Sequence, residues 1–253
     1  MDKNYTIAES YELPSKGLIY EGNVKTELRL RSMTTMEEMR RQSPSNRPLK
    51  TLAEIIDDCL IDKLGISAYD MCVGDYEYLL HKLRLVTYGP QYDMLVECQN
   101  CGNVEEVKYD LNDEVTLPFD LNKFNELLTL HLPKSDKDIT LTYQTPRILD
   151  DIELKAAEFN RKNKDAGYDP RKLFAFQFAI QTVDGAKMRP FDLETFIKQL
   201  PAADSNLIEA RIGKINKQIG LDNTFMYGCS RCGFDNTTFF RFGRKFFRPE
   251  IDE

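Results

Sequence analysis

Apolar and polar positions follow two different rhythms along this chain, and the changes of rhythm divide it. From Thr51 the residues Leu52, Ile55, Ile56, Cys59 and Leu60 fall on one helical stripe, and after Gly65 a stripe returns at Val73, Tyr76, Leu79, Leu80 and Leu83. Two successive amphipathic helices are predicted. Ahead of them, Leu18-Ile19-Tyr20 and Leu28-Arg29-Leu30-Arg31 are short apolar alternations among Pro14, Gly17 and Gly22, which suits extended segments and a turn, as in an arm or hairpin. Thr35-Met36-Glu37-Glu38 has the form of a capping box, so a short helix is expected to about Gln42, where Ser43-Pro44-Ser45-Asn46-Arg47-Pro48 stops it.

Beyond Gly89-Pro90 the rhythm becomes strand-like, with Tyr92 to Glu97 and Val104 to Tyr109 flanking Cys98 and Cys101 at a hairpin tip. Leu128 to Leu132 and Ile139 to Tyr143 predict a second hairpin, and mostly helical sequence follows. Thr145-Pro146 and Asp169-Pro170 each read as an N-cap with proline at the first helical position, and Asp204 or Ser205 can start a helix ending at Gly220. An aromatic strand from Phe234 to Phe242 then follows Cys229 and Cys232, repeating the first cysteine hairpin. The expected fold is α+β. Residues 1–48 form an extended N-terminal arm with a short helix, 49–90 a helical layer, and 91–110 with 223–248 a zinc-ribbon-like hairpin pair. A mainly helical insert with its own hairpin occupies 111–222.

Composition narrows the chemistry. With 42% apolar and 30% charged residues, the 253-residue chain can bury a core without a staple, and a net charge of -7 disfavours wrapping by nucleic acid or an anionic membrane. Its apolar runs are too short to cross a bilayer and Met1-Asp2-Lys3-Asn4 leads into no signal core, so a cytosolic origin with reduced thiols is expected. In each Cys-x-x-Cys-Gly knuckle the two-residue spacer lets both thiolates face one ion, and the glycine permits the positive φ of a tight turn. Cys98, Cys101, Cys229 and Cys232 therefore predict one structural zinc per chain. The pairs stand 127 residues apart; closing an unstructured loop of that length costs about 4 kcal/mol, against roughly 10–16 kcal/mol from a zinc site in small peptides. Free thiols or a redox pair are the alternatives. Four thiolates leave no open coordination position, which disfavours metal-assisted catalysis.

Other chemistry-bearing residues read as structural. Cys59 and Cys72 lie on or beside apolar stripes and are taken as core; His81 and His131 have no companion nucleophile, and Asp57-Asp58 and Asp150-Asp151 suit a solvated helix face. No phosphate loop, dinucleotide fingerprint or zincin motif occurs, so an enzyme is not expected. The stretch from Phe239 to Pro249 holds Arg241, Arg244, Lys245 and Arg248 with Phe246, Phe247 and three further phenylalanines. It either packs on the chain's own core, docks on an acidic protein groove, or meets nucleic acid. Leu18, Ile19 and Tyr20 are too sparse for a core of their own, so they are expected to pack on the helices after Thr51 or on a neighbouring subunit.

Glu12-Leu13-Pro14-Ser15-Lys16-Gly17-Leu18-Ile19-Tyr20, Leu28 to Glu38, and Leu83-Arg84 through Tyr88-Gly89 into Cys98-Gln99-Asn100-Cys101 resemble the baseplate hub family of T-even-type contractile-tailed bacteriophages. Ala179-Ile180-Gln181-Thr182-Val183-Asp184-Gly185 and Phe196-Ile197-Lys198-Gln199-Leu200-Pro201 extend the likeness over most of the chain. The resemblance implies a protein that binds other baseplate and tail hub proteins, in the virion or in the host cytoplasm during assembly, with no catalytic residues and no small-molecule substrate. The alternative reading is a zinc-ribbon nucleic-acid-binding protein.

Overall fold

In the computed structural model, residues 10–239 and 244–247 are described. The chain opens with β1 (Ser10–Glu12) and β2 (Glu27–Arg29), paired antiparallel with Tyr11 opposite Leu28. Helices α1 (Thr35–Gln42), α2 (Pro48–Cys59) and α3 (Val73–Tyr88) follow. Strands β3 (Gln91–Glu97) and β4 (Val104–Asp110) make the first cysteine hairpin, and β5 (Val115–Thr116) leads to α4 (Leu121–Leu127). Next come β6 (Thr129–Leu132), β7 (Lys137–Leu141), α5 (Pro146–Lys162), α6 (Arg171–Ala179) and β8 (Ile180–Val183). Helices α7 (Pro190–Gln199) and α8 (Ala202–Asn216) precede β9 (Leu221–Asp222), β10 (Thr224–Gly228) and β11 (Asp235–Phe239). A mixed helix and sheet fold with small antiparallel sheets results, as the two rhythms of the sequence predicted.

The apolar stripes bury as expected. Ala53, Ile55, Ile56 and Cys59 of α2 meet Tyr76, Leu79 and Leu83 of α3 in one core cluster, which also takes in Leu13 and Leu28 from the N-terminal hairpin. A second cluster joins Phe124, the inner faces of β6, β7 and β8, and Ile208, Ile212 and Ile215 of α8. Cys59 and Cys72 are both buried. Where the chain returns from the second cluster, the backbone at Ile219 and Gly220 lies against Gly74 of α3. A β-carbon at Gly74 would fall onto the Ile219 carbonyl, so this crossing needs glycine.

Several expectations shift. The capping box of α1 sits one residue earlier, on Thr34 and Glu37, because Arg31 draws the Glu37 carboxylate inward at 2.7 Å, where it also accepts the Thr34 N–H at 2.6 Å. Helix α6 is likewise offset: Pro170 is its N-cap and Asp169 accepts from Arg171 N–H. Asp150 is not on a solvated face. It is buried, accepting from the Lys50 N–H at 3.0 Å and the Tyr69 hydroxyl at 3.1 Å, so it caps α2 from a distant helix. Asp204 lies inside the first turn of α8, which begins earlier and ends at Asn216; its carboxylate holds the β6–β7 turn through Lys134 and Ser135. The hairpin of β6 and β7 gains a third strand, β8, which follows α6 directly. The final aromatic strand is described from Asp235 to Phe239, its expected continuation to Phe242 lies outside the described residues, and Arg244–Phe247 form a 3₁₀ turn.

His81 and Glu114 face each other at 3.6 Å with both side chains fully enclosed, and the carboxylate has no hydrogen-bond partner among the described residues. Burial pushes Glu114 up to about 7, against the pull of Lys82 and with a push from Asp222, while burial pulls His81 down to about 3. The signs oppose. Glu114 binds its proton more tightly in the folded state, so its contribution is complete below its ordinary value of 4.5 and is lost as pH rises through 7; that of His81 is complete above its ordinary 6.5 and is lost as pH falls toward 3. Glu114→Gln removes the alkaline loss. Relative to the parent chain, it is expected to raise the melting temperature at pH 8.5 by a few °C more than at pH 5.5. An equal change at both pH values in thermal melts would reject the assignment.

Candidate metal centre

Each cysteine pair sits on a turn built from the same two backbone bonds. Gly102 N–H donates to Cys98 O at 2.9 Å and Cys98 N–H to Asn103 O at 2.8 Å; in the second knuckle Gly233 N–H donates to Cys229 O at 2.8 Å and Cys229 N–H to Phe234 O at 2.9 Å. Gly102 and Gly233 take φ of 66° and 69°, the left-handed conformation for which glycine was expected at these positions. The hairpins below the turns lean on each other through Tyr109 and Phe225, whose ring centroids are 5.1 Å apart edge to face.

All four sulfurs lie within 4.8 Å of one another, with Cys98 to Cys232 and Cys101 to Cys229 at 3.7 Å. A disulfide needs about 2.05 Å. A tetrahedron of sulfurs around one zinc at about 2.3 Å has edges of about 3.8 Å, so the cluster has the dimensions of a four-thiolate shell. Among the described residues no other group of three or more cysteine, histidine or carboxylate side chains converges in this way.

The surroundings favour thiolate at Cys98 and Cys232 and the thiol at Cys101 and Cys229. Burial opposes ionisation of Cys98, but the N–H groups of Cys101 and Asn100 and the Asn236 amide outweigh it and hold Cys98 at about 6. The Phe234 N–H and the Asn100 amide lower Cys232. Against the pull of the Asn103 N–H, burial and three neighbouring thiols push Cys101 up to about 12, while Cys229 is raised by burial and then by its neighbours. A divalent cation at the centre of such a set favours the thiolate form of every ligand.

Residues that motif reading missed complete the shell. Asn236 is buried in β11; its amide nitrogen lies 3.5 Å from Cys98 Sγ while its oxygen accepts the Gln99 N–H at 2.9 Å, tying one knuckle to the other hairpin. Glu105 accepts the Ser230 N–H at 3.1 Å, the reciprocal tie. Neither lies in a cysteine motif, and only the inward phase of its strand marks it in the sequence.

The other candidate residues do not gather around the cysteines. Leu18 is exposed; Ile19 is half-buried against the second core cluster. Tyr20 is turned inward, its hydroxyl donating to Asp75 at 2.6 Å and accepting from the Cys72 N–H at 3.0 Å. Phe246 and Phe247 are buried in the first core cluster. Arg244 and Lys245 belong to the same 3₁₀ turn, and Arg241 and Arg248 lie outside the described residues. His131 faces Asp138 on the surface at 2.9 Å.

A family model described as T4 bacteriophage base plate protein matches residues 6–248. No curated protein and no solved structure matches the chain.

Proposed function

The chain belongs to the T4 bacteriophage base plate protein family, and on that premise we propose that it is a non-enzymatic component or assembly factor of the baseplate hub. It acts by binding other baseplate proteins, and one structural zinc on Cys98, Cys101, Cys229 and Cys232 holds its two hairpins together. The observation that carries the baseplate role is the family match over nearly the whole chain. The zinc rests on the four converging sulfurs and the donors around them. No helix among the described residues is long and apolar enough to cross a membrane.

Nucleic-acid binding has less support. Phe246 and Phe247 are enclosed in the first core cluster and so are not free to stack on bases, and the net charge of -7 opposes phosphate. The deciding measurement is quantitative mass spectrometry of purified virions, isolated baseplates and hub precursors from infected cells. A fixed ratio to other baseplate proteins in the virion identifies a component, and presence in precursors alone identifies an assembly factor. Absence from all three preparations overturns the proposal.

A further inference from the structure

Beside β8 the surface opens into a groove of about 430 Å³, within the size range of binding clefts. Its apolar lining includes Phe178 at the end of α6, Met188, and Pro190 and Leu193 at the start of α7; its charged lining is Lys155 from α5 and Lys187, with no carboxylate. Next to it stands Phe191, 77% exposed and the most exposed large apolar side chain among the described residues.

The two lysines differ from the bases around them. Arg171, Lys172, Lys198 and Lys162 in the same helices, and Arg189 at the N-cap of α7, are each paired with a carboxylate of this chain. Among the described residues, Lys155 and Lys187 have no carboxylate within ion-pair reach. Lys155 is held instead over the Phe178 ring, 4.4 Å from its centroid, which fixes an ammonium at the groove. Two cations without acids on an apolar cleft select, against the chain's overall net charge of -7, a negatively charged occupant that also buries apolar surface. The register of the sheet limits how it binds. Gln181 is passed over between the pairs Thr140↔Thr182 and Leu141↔Ile180, and Val183 exchanges both backbone bonds with Ala186, so β8 presents little free edge for an added strand. Side chains carry the recognition.

We propose that this groove docks an acidic segment of a partner protein, with an apolar side chain seated among Phe178, Met188 and Leu193 and carboxylates on Lys155 and Lys187. That the partner is another baseplate protein rests on the function proposed above; the chemistry of the groove can be tested on the full chain alone. Fluorescence anisotropy would compare three labelled peptides: Asp-Glu-Leu-Phe-Asp-Glu, its counterpart Lys-Lys-Leu-Phe-Lys-Lys, and Asp-Glu-Ser-Ser-Asp-Glu, which lacks the apolar pair. The first is expected to bind at least about tenfold tighter than the others and to lose about tenfold on joint Lys155→Glu and Lys187→Glu substitution. Leu193→Ser is expected to weaken it independently, and Lys155→Gln with Lys187→Gln gives a second variant if the reversal perturbs folding. Equal binding of the three peptides, binding of none, or indifference to the lysine variants overturns the proposal. Lysine-dependent self-association or duplex DNA binding in place of peptide binding does so as well. A negative virion inventory would remove the baseplate role without touching this result.

Discussion

Metal analysis of the purified full chain is expected to return one zinc per molecule, and Cys229→Ser is expected to remove it and to loosen residues near both Cys98 and Cys229. The four sulfurs converge from two hairpins, so one ion shared among them would tie both, and losing one ligand would free both. Structural zinc contributes roughly 10–16 kcal/mol in small peptides, and even a third of that lowers the melting temperature of a chain of this size by on the order of 10 °C. Chelation should reproduce the variant. Hydrogen exchange should show that the Gln99 and Ser230 amides, which bond across the two hairpins to Asn236 and Glu105, lose protection together. Cys59→Ala, in the helical core, is expected to leave the zinc content unchanged. A metal-free chain that melts at the same temperature with and without Cys229 would refute the site.

Arg84→Met is expected to cost about 3–5 kcal/mol, because it leaves buried acceptors without donors. Arg84 is 2% exposed, and its guanidinium donates to three carbonyls: Phe246 O at 2.9 Å, Gly89 O at 2.6 Å and Gln91 O at 2.8 Å. The rings of Tyr88, Tyr92 and Phe246 stand 5.4 to 5.8 Å from its guanidinium carbon, so the charge is met by backbone dipoles and aromatic faces. One side chain thus joins the end of α3, the start of β3 and the C-terminal 3₁₀ turn. The variant should melt roughly 6–15 °C lower and be cut faster by trypsin after residue 239, since Phe246 loses its tether. Phe246→Ala should release the same segment at about 3–5 kcal/mol. An Arg84→Met chain with the parent's melting temperature and cleavage pattern would show that the tether contributes nothing.

The inward burial of Phe246 and Phe247 changes what their substitution reports. A loss of assembly on changing these residues would follow from lost folding stability as well as from a lost contact, so the melt has to be measured beside the assembly yield. The same holds for Tyr20, whose hydroxyl stands between Cys72 and a buried carboxylate, Asp75, that also accepts the Ser15 N–H at 2.9 Å. Leu18, exposed on the same loop, is the cleaner probe of an external partner.

Legibility in the sequence tracked the distance over which each feature is encoded. The knuckles were readable because ligand type, two-residue spacing and the following glycine all lie within five residues. The stripes of α2 and α3 and the proline-led start of α5 were readable for the same reason, since periodicity and caps are local. Strand β8 was not, because its Ile-Gln-Thr-Val run continues the apolar texture of α6 and becomes a strand only by pairing with β7.

Taken by itself, the sequence determined the four cysteines that converge, the main amphipathic helices, the alternation of the cysteine hairpins and the resemblance to a phage baseplate family. Only the tertiary structure decided which polar groups went inside. Asp150 became a cap for α2 across a separation of about 100 residues, Arg84 found Phe246 across 162, and Asn236 found the first knuckle across 137. A buried polar residue is stable only where donors and acceptors converge on it, and that convergence is a property of the packed chain.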